Sequence, residues 1–381
     1  MSRRWLVPFG TRPEVVKLAP VVEAMRALGA DVHTLATGQH HDPAMADAFF
    51  ADLALEPDTR WNLPDAENDR VGALIAGAYT ELASGAHDAV LALGDTHTVP
   101  LFALAARRFG LPFVHLEAGL RSCNDRSVEE GNRRVAGALA TLHLAPTEYA
   151  AHVLDGEGVA ADRVFVVGNP VTDSLRRFGP APWPVADRFG AVVTLHRPTN
   201  VDDPDRLAEL IALVRTLADE LGHVRFPVHP RTRDRLGRDG FAELATAPGV
   251  TLEPPLRYRD MLDAIASARV VVTDSGGLQE EAAWYGVPVV VLRNTTPRWE
   301  SVLARTSALV GTDAARALAA VREFTAASEQ ERIAATPCPY GDGHVGPRVA
   351  SLLLDAATER LLSVTDPGLA ISVPNLLGVD R

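Results

Sequence analysis

The chain has 381 residues, of which 47% are hydrophobic, and it carries a formal net charge of −12 at pH 7. This length and composition are typical of a globular protein with more than one core and exclude an intrinsically disordered chain. The acidic balance argues against nucleic acid as a partner, and no apolar run approaches the length of a membrane span. Cys123 and Cys338 are too few for a disulfide framework or a metal cage, so we expect a cytoplasmic enzyme.

The first predicted strand and helix meet at a turn that carries two basic residues. Trp5–Phe9 is a short apolar strand, and a helical pattern follows Gly10. Arg12 and Lys17 flank this turn, at the edge where a parallel sheet presents its ligand groups. Lys17 is the only lysine in the sequence, which indicates a position that needs a compact ammonium group and favours phosphate contact. The alternative is the chance survival of one lysine and solvated charge on an exposed turn.

Carboxylates follow two later strands in the first half of the chain. Ala89–Leu93 is followed by Asp95, Pro112–Leu116 is followed by Glu117, and Glu129 lies in the next predicted loop. Because the carboxyl ends of parallel strands meet at one edge of a sheet, the pattern predicts a convergent acidic cluster. Each carboxylate taken alone is explained as well by ordinary surface charge.

The alternation of strands and helices restarts after the proline-rich segment Gly179–Pro184, which we predict to be a linker. In the second half, His196, His229 and Arg293 each follow a predicted strand. Histidines at successive strand ends favour a functional role over a structural one. The adjacent pair His40-His41, by contrast, lacks the spacing of metal ligands, so no metal site is predicted.

A ligand-binding turn is predicted between Arg269 and Glu300. The β-branched strand Val270–Thr273 stops at Asp274-Ser275-Gly276-Gly277, and a helix then opens with glutamates that include Glu281. The two glycines allow backbone N–H groups at a helix N-terminus to approach an anion, whereas a carboxylate in the first turn suits a ribose diol. The pattern therefore favours a sugar nucleotide. The alternative is a helix capped by Asp274 or Ser275, with glutamates that complement the helix dipole.

Neither NAD nor ATP is implied, since no dinucleotide fingerprint follows the first strand and no Walker motif occurs. Instead, a series of short motifs points to one family. In chain order they are GTRPE (Gly10–Glu14) with Lys17, TGQH (Thr37–His40), GDT (Gly94–Thr96), HLEAGLRS (His115–Ser122), EEGNR (Glu129–Arg133), GNPVTD (Gly168–Asp173), TLHR (Thr194–Arg197), DSGGLQEE (Asp274–Glu281) and PYGDG (Pro339–Gly343). The chain thereby resembles the non-hydrolysing UDP-N-acetylglucosamine 2-epimerase family over essentially its whole length.

The resemblance implies a GT-B-like α/β fold, with two Rossmann-like doubly wound parallel-sheet domains that face each other across a cleft. We expect an N-terminal domain over residues 1–178, a linker over 179–184 and a C-terminal domain over 185–345. Residues 346–381 would form a helix, predicted from the pattern at about 346–362, that crosses back to the first domain, followed by a tail. A homodimer is also implied.

The resemblance further implies the interconversion of UDP-N-acetylglucosamine (UDP-GlcNAc) and UDP-N-acetylmannosamine (UDP-ManNAc) by elimination and re-addition of UDP, with no redox cofactor. Carried over by motif, the expected catalytic residues are Asp95, Glu117, Glu129 and His196, the last of which would assist departure of the diphosphate. The expected UDP-binding residues are Arg12, Lys17, His229, Ser275, Gly276, Gly277, Glu281 and Arg298.

Several positions depart from the family pattern. Val128 replaces a proline, and Thr199 stands where the family has a glutamate. These departures point towards a specialised aminosugar pathway, such as antibiotic synthesis. Three rival functions stay open: a hydrolysing epimerase that releases ManNAc and UDP, which the altered loop near Val128 would allow, a GT-B glycosyltransferase, and a non-catalytic UDP-sugar sensor.

Overall fold

The computed structural model describes residues 3–38, 55–64 and 66–364, so that His40, His41 and the predicted tail lie outside the described residues. The strands of the first half are β1 (Arg4–Phe9), β2 (Asp31–Ala36), β3 (Thr59–Arg60), β4 (Ala89–Leu93), β5 (Phe113–Leu116), β6 (Leu142–Ala145) and β7 (Val164–Val166). They form one seven-stranded parallel sheet in the order β3-β2-β1-β4-β5-β6-β7. Its helices are α1 (Arg12–Ala27), α2 (Glu67–Ala83), α3 (Thr98–Arg108), α4 (Val128–Leu139), α5 (Glu148–Gly156) and α6 (Val171–Phe178).

The strands of the second half are β8 (Phe189–Thr194), β9 (Val224–Pro227), β10 (Val250–Glu253), β11 (Ala268–Thr273), β12 (Val289–Val291) and β13 (Ser307–Leu309). They form a six-stranded parallel sheet in the order β10-β9-β8-β11-β12-β13. The helices are α7 (Pro198–Val201), α8 (Pro204–Leu221), α9 (Pro230–Ala245), α10 (Tyr258–Ser267), α11 (Gly277–Trp284), α12 (Trp299–Leu303), α13 (Ala314–Phe324), α14 (Ala327–Ala334), α15 (Val345–Leu354) and α16 (Ala356–Leu361).

Both faces of each sheet are buried, which is why the central strands are apolar runs without polar alternation. In β1, Trp5 and Val7 belong to one core cluster and Leu6 belongs to another. In β11, Val270 and Val271 divide in the same way between two clusters of the second sheet. The predicted fold class, two doubly wound parallel-sheet domains, is confirmed. No described helix has both the length and the apolar character needed to cross a membrane.

The last helical segment returns from the second sheet to the first. Val345, Val349 and Leu353 of α15 lie in the same core cluster as Val15 and Val22 of α1. The pattern predicted one helix at about 346–362, but the structure has two. Asp355 separates them with an extended backbone, φ −74° and ψ 141°, and its side chain caps α16 by accepting hydrogen bonds from the N–H groups of residues 357 and 358.

Candidate active site

A cavity of about 370 Å³ lies between the two domains, at the carboxyl ends of their strands. This is the edge at which open parallel sheets bind ligands. It collects most of the residues predicted from the sequence. The first domain contributes Arg12, Lys17, Asp95 and Glu117, and the second contributes Ser275, Gly277, Glu281 and Arg298.

Asp95 and Glu117 reach the cavity because they follow neighbouring strands. Leu93 of β4 pairs with Leu116 of β5, and the Gly94 N–H extends the pairing by donating to the Leu116 carbonyl at 3.0 Å. Glu117 then adopts a left-handed backbone with φ 65°. For a residue with a side chain this costs about 1 kcal/mol or more, which is typical of functional sites.

Lys17 lines the cavity but is only 7% exposed, because its ammonium group lies in a charge cluster that joins the two domains. Its ammonium Nζ lies 2.5 Å from Glu117 Oε1 and 2.8 Å from Glu280 Oε2. The Asn169 side-chain amide donates to the same two carboxylates, at 2.6 Å to Glu117 Oε1 and 3.1 Å to Glu280 Oε1. Arg298 Nε donates to Glu280 Oε1 at 2.8 Å. Two cations and two carboxylates therefore neutralise one another in this cluster.

The cluster fixes the charge state of its members. Burial alone would raise the pKa of Glu117, but the charges of Lys17 and Arg298 and the hydrogen bonds from Lys17 and Asn169 lower it below its ordinary value. Burial alone would lower the pKa of Lys17, but Glu117 and Glu280 raise it above its ordinary value. Glu117 is thus a carboxylate and Lys17 an ammonium ion at neutral pH.

Glu281, the next residue, is in a different state. Its side chain is 9% exposed, and Oε2 has no hydrogen-bond partner. Burial, together with the charge of Glu280, raises the pKa of Glu281 to about 7. The hydroxyl of Tyr258 also lines the cavity without a partner, and burial and the Glu281 charge raise its pKa. Glu281 therefore lines the cavity with the Ser275–Gly277 turn and has one buried carboxyl oxygen without a partner.

The alternative interpretation of this turn, a helix capped by the side chain of Asp274 or Ser275, does not hold for α11. The N-cap of this helix is Gly276, without a side-chain hydrogen bond. Asp274 is instead fully buried and faces the end of β8, where its carboxylate accepts hydrogen bonds from the N–H groups of His196 and Arg197 and from the Asn200 side-chain amide. His196 Nδ1 lies 2.7 Å from Asp274 Oδ1. Asp274 thus orients the His196 ring through Nδ1.

His196, His229 and Glu129 lie beyond the lining of the cavity. The rings of the two histidines are 5.5 Å apart, centroid to centroid. Glu129 is in the first turn of α4, not in a loop, and accepts a hydrogen bond from Ser127 Oγ at 2.6 Å. Burial, with the neighbouring charges of Arg197 and Arg298, lowers the pKa of Arg293 to about 10, while Asp274 and Glu129 oppose this shift. Glu129 is therefore near enough to Arg293 of the second domain for its charge to affect this arginine.

Further polar groups support the predicted ones. Asp95 bonds to Arg133, and its backbone carbonyl accepts from the Asn132 amide at 2.8 Å. Glu14 accepts from the N–H groups of Gly10 and Thr11 and from the hydroxyls of Thr11 and Thr96, which fixes the turn after β1. Burial raises the pKa of Glu14 to about 7 in spite of these bonds.

Sequence reasoning missed Glu280, Asn169 and Tyr258 as site residues. Glu280 and Asn169 both lie inside motifs that were recognised. Glu280 could have been found because it precedes Glu281, and Asn169 because it lies in the turn after β7. Tyr258 begins α10 and has no motif around it. Among the residues that the structure describes, no group of histidine, cysteine and carboxylate side chains could hold a metal ion.

The two parallel sheets, with a site between the carboxyl ends of their strands, define a GT-B-like two-domain α/β protein. Within this class, the chain belongs to the UDP-N-acetylglucosamine 2-epimerase family, whose sequence model matches residues 23–354.

Relatives and solved structures agree with this assignment. The UDP-N-acetylglucosamine 2-epimerase of Methanocaldococcus jannaschii is 31% identical, over 91% of this chain and 97% of the relative. The UDP-2,3-diacetamido-2,3-dideoxy-D-glucuronate 2-epimerase of Pseudomonas aeruginosa is also 31% identical, over 91% and 98%. The structure of the M. jannaschii enzyme in complex with UDP-GlcNAc and UDP has a TM-score of 0.80, 30% identity and coverage of 92% and 99%. That of the Neisseria meningitidis enzyme bound to UDP-GlcNAc has a TM-score of 0.81, 29% identity and coverage of 92% and 99%.

Proposed function

We propose that this protein interconverts UDP-GlcNAc and UDP-ManNAc without net hydrolysis. The observation that carries the proposal is the composition of the interdomain cavity. One wall carries Asp95 and Glu117, and the other carries the glycine turn at Gly277 and Glu281, which has an unpaired carboxyl oxygen. Proton transfer needs the first wall, and a nucleoside diphosphate fits the second.

The UDP end of the substrate would bind to the second domain. The diphosphate would meet the Ser275 hydroxyl and the Gly277 N–H at the start of α11, with Arg298 and Arg12 nearby; the Ser275 N–H already donates to Thr273 Oγ1. The ribose hydroxyls would donate to Glu281, and so satisfy the oxygen that has no partner in the protein. His229 and Gly276 do not line the cavity. His229 would support His196, the other member of the histidine pair, and Gly276 would support the turn.

The sugar would lie against the first domain, where the chemistry takes place. A carboxylate removes the proton from C2 while the bond between C1 and the β-phosphate oxygen breaks, and its electron pair leaves with UDP. A C1–C2 double bond forms, which gives a 2-acetamidoglucal and UDP. UDP then adds back at C1 as a second acid delivers a proton to the other face of C2. Asp95, Glu117 and Glu129 are the candidate acids and bases, and His196 would stabilise the departing diphosphate.

An experiment in deuterated water tests this scheme. The protein is incubated with UDP-GlcNAc in D₂O, and the sugar signals are followed by proton NMR. We expect UDP-ManNAc to appear with deuterium at C2. Free ManNAc with UDP would instead establish the hydrolysing reaction, and transfer to an added acceptor would establish a glycosyltransferase. UDP binding with no exchange and no turnover would exclude UDP-GlcNAc as the substrate.

The same assay separates an enzyme from a sensor. Alanine in place of Asp95 or Glu117 should abolish C2 exchange and leave UDP binding largely unchanged, because neither side chain belongs to the proposed UDP end. Substrates with a 3-acetamido group and a uronic acid, which the name of the P. aeruginosa relative describes, are the first alternatives to test. A specialised aminosugar pathway would be indicated by a preference for such a substrate.

A further inference from the structure

The charge cluster between the domains contains a carboxylate to which the proposed reaction gives no role. Glu280, on α11 of the second domain, is completely buried. It accepts hydrogen bonds from Lys17, Asn169 and Arg298. Two of these donors, Lys17 and Asn169, also bond to Glu117 of the first domain. The Glu280 and Glu117 carboxylates are therefore close neighbours, held together by the same ammonium and the same amide.

We propose that Glu280 is a positioning residue that sets the proton affinity of Glu117 from across the domain interface. The inference rests on the proposed function, in which Glu117 is one of the three candidate acids and bases that act at C2 of the sugar. Glu280 does not touch C2 in this scheme; it acts on Glu117 through Lys17 and Asn169.

The physical argument starts from the cations that face Glu117. Lys17 bonds to it directly, and the charge of Arg298 also acts on it. A buried carboxylate that bonds to one cation and experiences the charge of a second is a weak base, because its ionised form is strongly stabilised. The carboxylate of Glu280 bonds to both cations, and its negative charge offsets their stabilisation of ionised Glu117. Glu117 therefore keeps enough proton affinity to take up and return a proton.

The other groups around Glu117 cannot supply this charge. His115, on the strand that leads to Glu117, is fully buried, and burial lowers its pKa to about 4, so it is neutral at physiological pH. Asp95 lines the same cavity but bonds to its own cation, Arg133. Asn169 is uncharged. Among the described groups that surround Glu117, Glu280 is the carboxylate that shares its donors.

The variant Glu280→Gln tests the proposal because it removes the charge and keeps the size of the side chain. The rate of C2 epimerisation is measured against pH for the variant and the wild type. We expect the limb of the kcat/KM profile that reports Glu117 to move to lower pH by about one unit. The direction holds in either role: loss of a neighbouring negative charge lowers the pKa of Glu117 whether the reaction needs this residue ionised or protonated.

Glu300→Gln is the matched control. Glu300 is a buried carboxyl group of the same domain, 7% exposed, that accepts a hydrogen bond from Thr147 across the interface, whereas the side-chain hydrogen bonds of Lys17 and Asn169 go to Glu117 and Glu280. Its pH profile should match that of the wild type. If Glu280→Gln lowers the rate but leaves both limbs where they are, Glu280 has only a structural role, and the proposal fails.

A second measurement does not depend on turnover. The side-chain carboxyl carbon of Glu117 is titrated by ¹³C NMR in protein with labelled glutamate, and its signal is assigned from its absence in Glu117→Gln. The midpoint should fall in Glu280→Gln. If the wild type shows no C2 exchange, the proposed function fails, yet this titration still tests the effect of Glu280 on Glu117. If Glu280→Gln does not fold, Glu280→Asp, which withdraws the charge from Lys17, should give a smaller shift in the same direction; an unchanged midpoint would refute the proposal.

Discussion

The hydroxyl of Ser174 donates a hydrogen bond to the backbone carbonyl of Val16, at 2.5 Å. The reason lies one turn further along α1, where Pro20 has no N–H to offer this carbonyl. Ser174 is 1% exposed and lies on α6, so water cannot easily take its place. Helix α6 thus supplies the hydrogen bond that is missing inside α1, the helix that carries Lys17.

Replacement of Ser174 by alanine should therefore destabilise the protein. The Val16 carbonyl would be buried without a partner, which costs about 1–3 kcal/mol of unfolding free energy. Urea unfolding followed by circular dichroism measures the change. Thr80→Ala is a suitable control, because Thr80 makes the same kind of bond to a carbonyl on an exposed helix surface and should change stability by less than about 0.5 kcal/mol. Equal effects for the two variants would contradict this account of Ser174.

Gly346 allows α15 to approach α1 closely. A Cβ atom at this position would lie 2.5 Å from the carbonyl oxygen of Pro20, which belongs to rigid backbone. We expect Gly346→Ala to push the helices apart and to lower the unfolding free energy by about 1–3 kcal/mol. Gly72, in α2, has no atom within 4 Å of such a Cβ. Gly72→Ala should therefore stabilise by up to about 1 kcal/mol; thermal unfolding of the two variants in opposite directions is the expected result.

Lys17 should not tolerate arginine, although arginine is the usual basic residue of this chain. Its ammonium group lies between two carboxylates, at 2.5 and 2.8 Å, and the residue is only 7% exposed. A planar guanidinium is larger and cannot take this position without moving Glu117. We expect Lys17→Arg to reduce kcat/KM about 10- to 100-fold, since displacement of a reacting group by about 1 Å has effects of this size. The converse exchange at exposed Arg107 should leave the rate unchanged; a fully active Lys17→Arg protein would show that charge alone suffices.

The variant Glu281→Gln should bind UDP more weakly than the wild type but be more stable. The pKa of Glu281 is raised to about 7 from 4.5, so the folded state holds the proton more tightly than the unfolded state, and stability falls as the pH rises from about 4.5 to about 7. The amide imitates the neutral acid and removes this loss. We expect the variant to be more stable than the wild type above pH 7, by about 2–3 kcal/mol, and no more stable near pH 4. UDP binding, measured by calorimetry, should weaken.

The contrasting case is Glu14, whose pKa is also raised to about 7 by burial. Unlike Glu281, it accepts four hydrogen bonds. An amide cannot accept all of them, so Glu14→Gln should lose stability over the same pH range in which Glu281→Gln gains it. If both variants gained stability above pH 7, burial alone would account for both sites, and the unpaired oxygen of Glu281 would have no special meaning.

The sequence was most informative where function depends on position along a strand. Asp95, Glu117 and Ser275 could be placed at ligand-binding edges because a parallel sheet brings the carboxyl ends of its strands together. The edge strands β10 and β13 were not predicted, because the prediction of strands depended on apolar runs. They are short and partly exposed, so they lack the long apolar runs that identify the central strands.

The partners of the predicted residues could not be read from the sequence. Lys17 was expected to meet phosphate, and the structure shows it bonded to Glu117 and Glu280, which are 100 and 263 residues away in the chain. Such pairs depend on how two independently built domains come together, which local patterns do not encode. The prediction of one continuous helix at 346–362 was wrong because Asp355 caps a new helix, although the apolar pattern continues through this point.

The return of α15 to the first sheet has a consequence for the order in which the protein can fold as it is synthesised. The core that contains Val15 and Val22 is completed by Val345, Val349 and Leu353, which emerge from the ribosome after the whole second sheet. Until then the apolar face of α1 remains without its cover. The second domain is thus the first to be complete on the ribosome, and the N-terminal domain is the last.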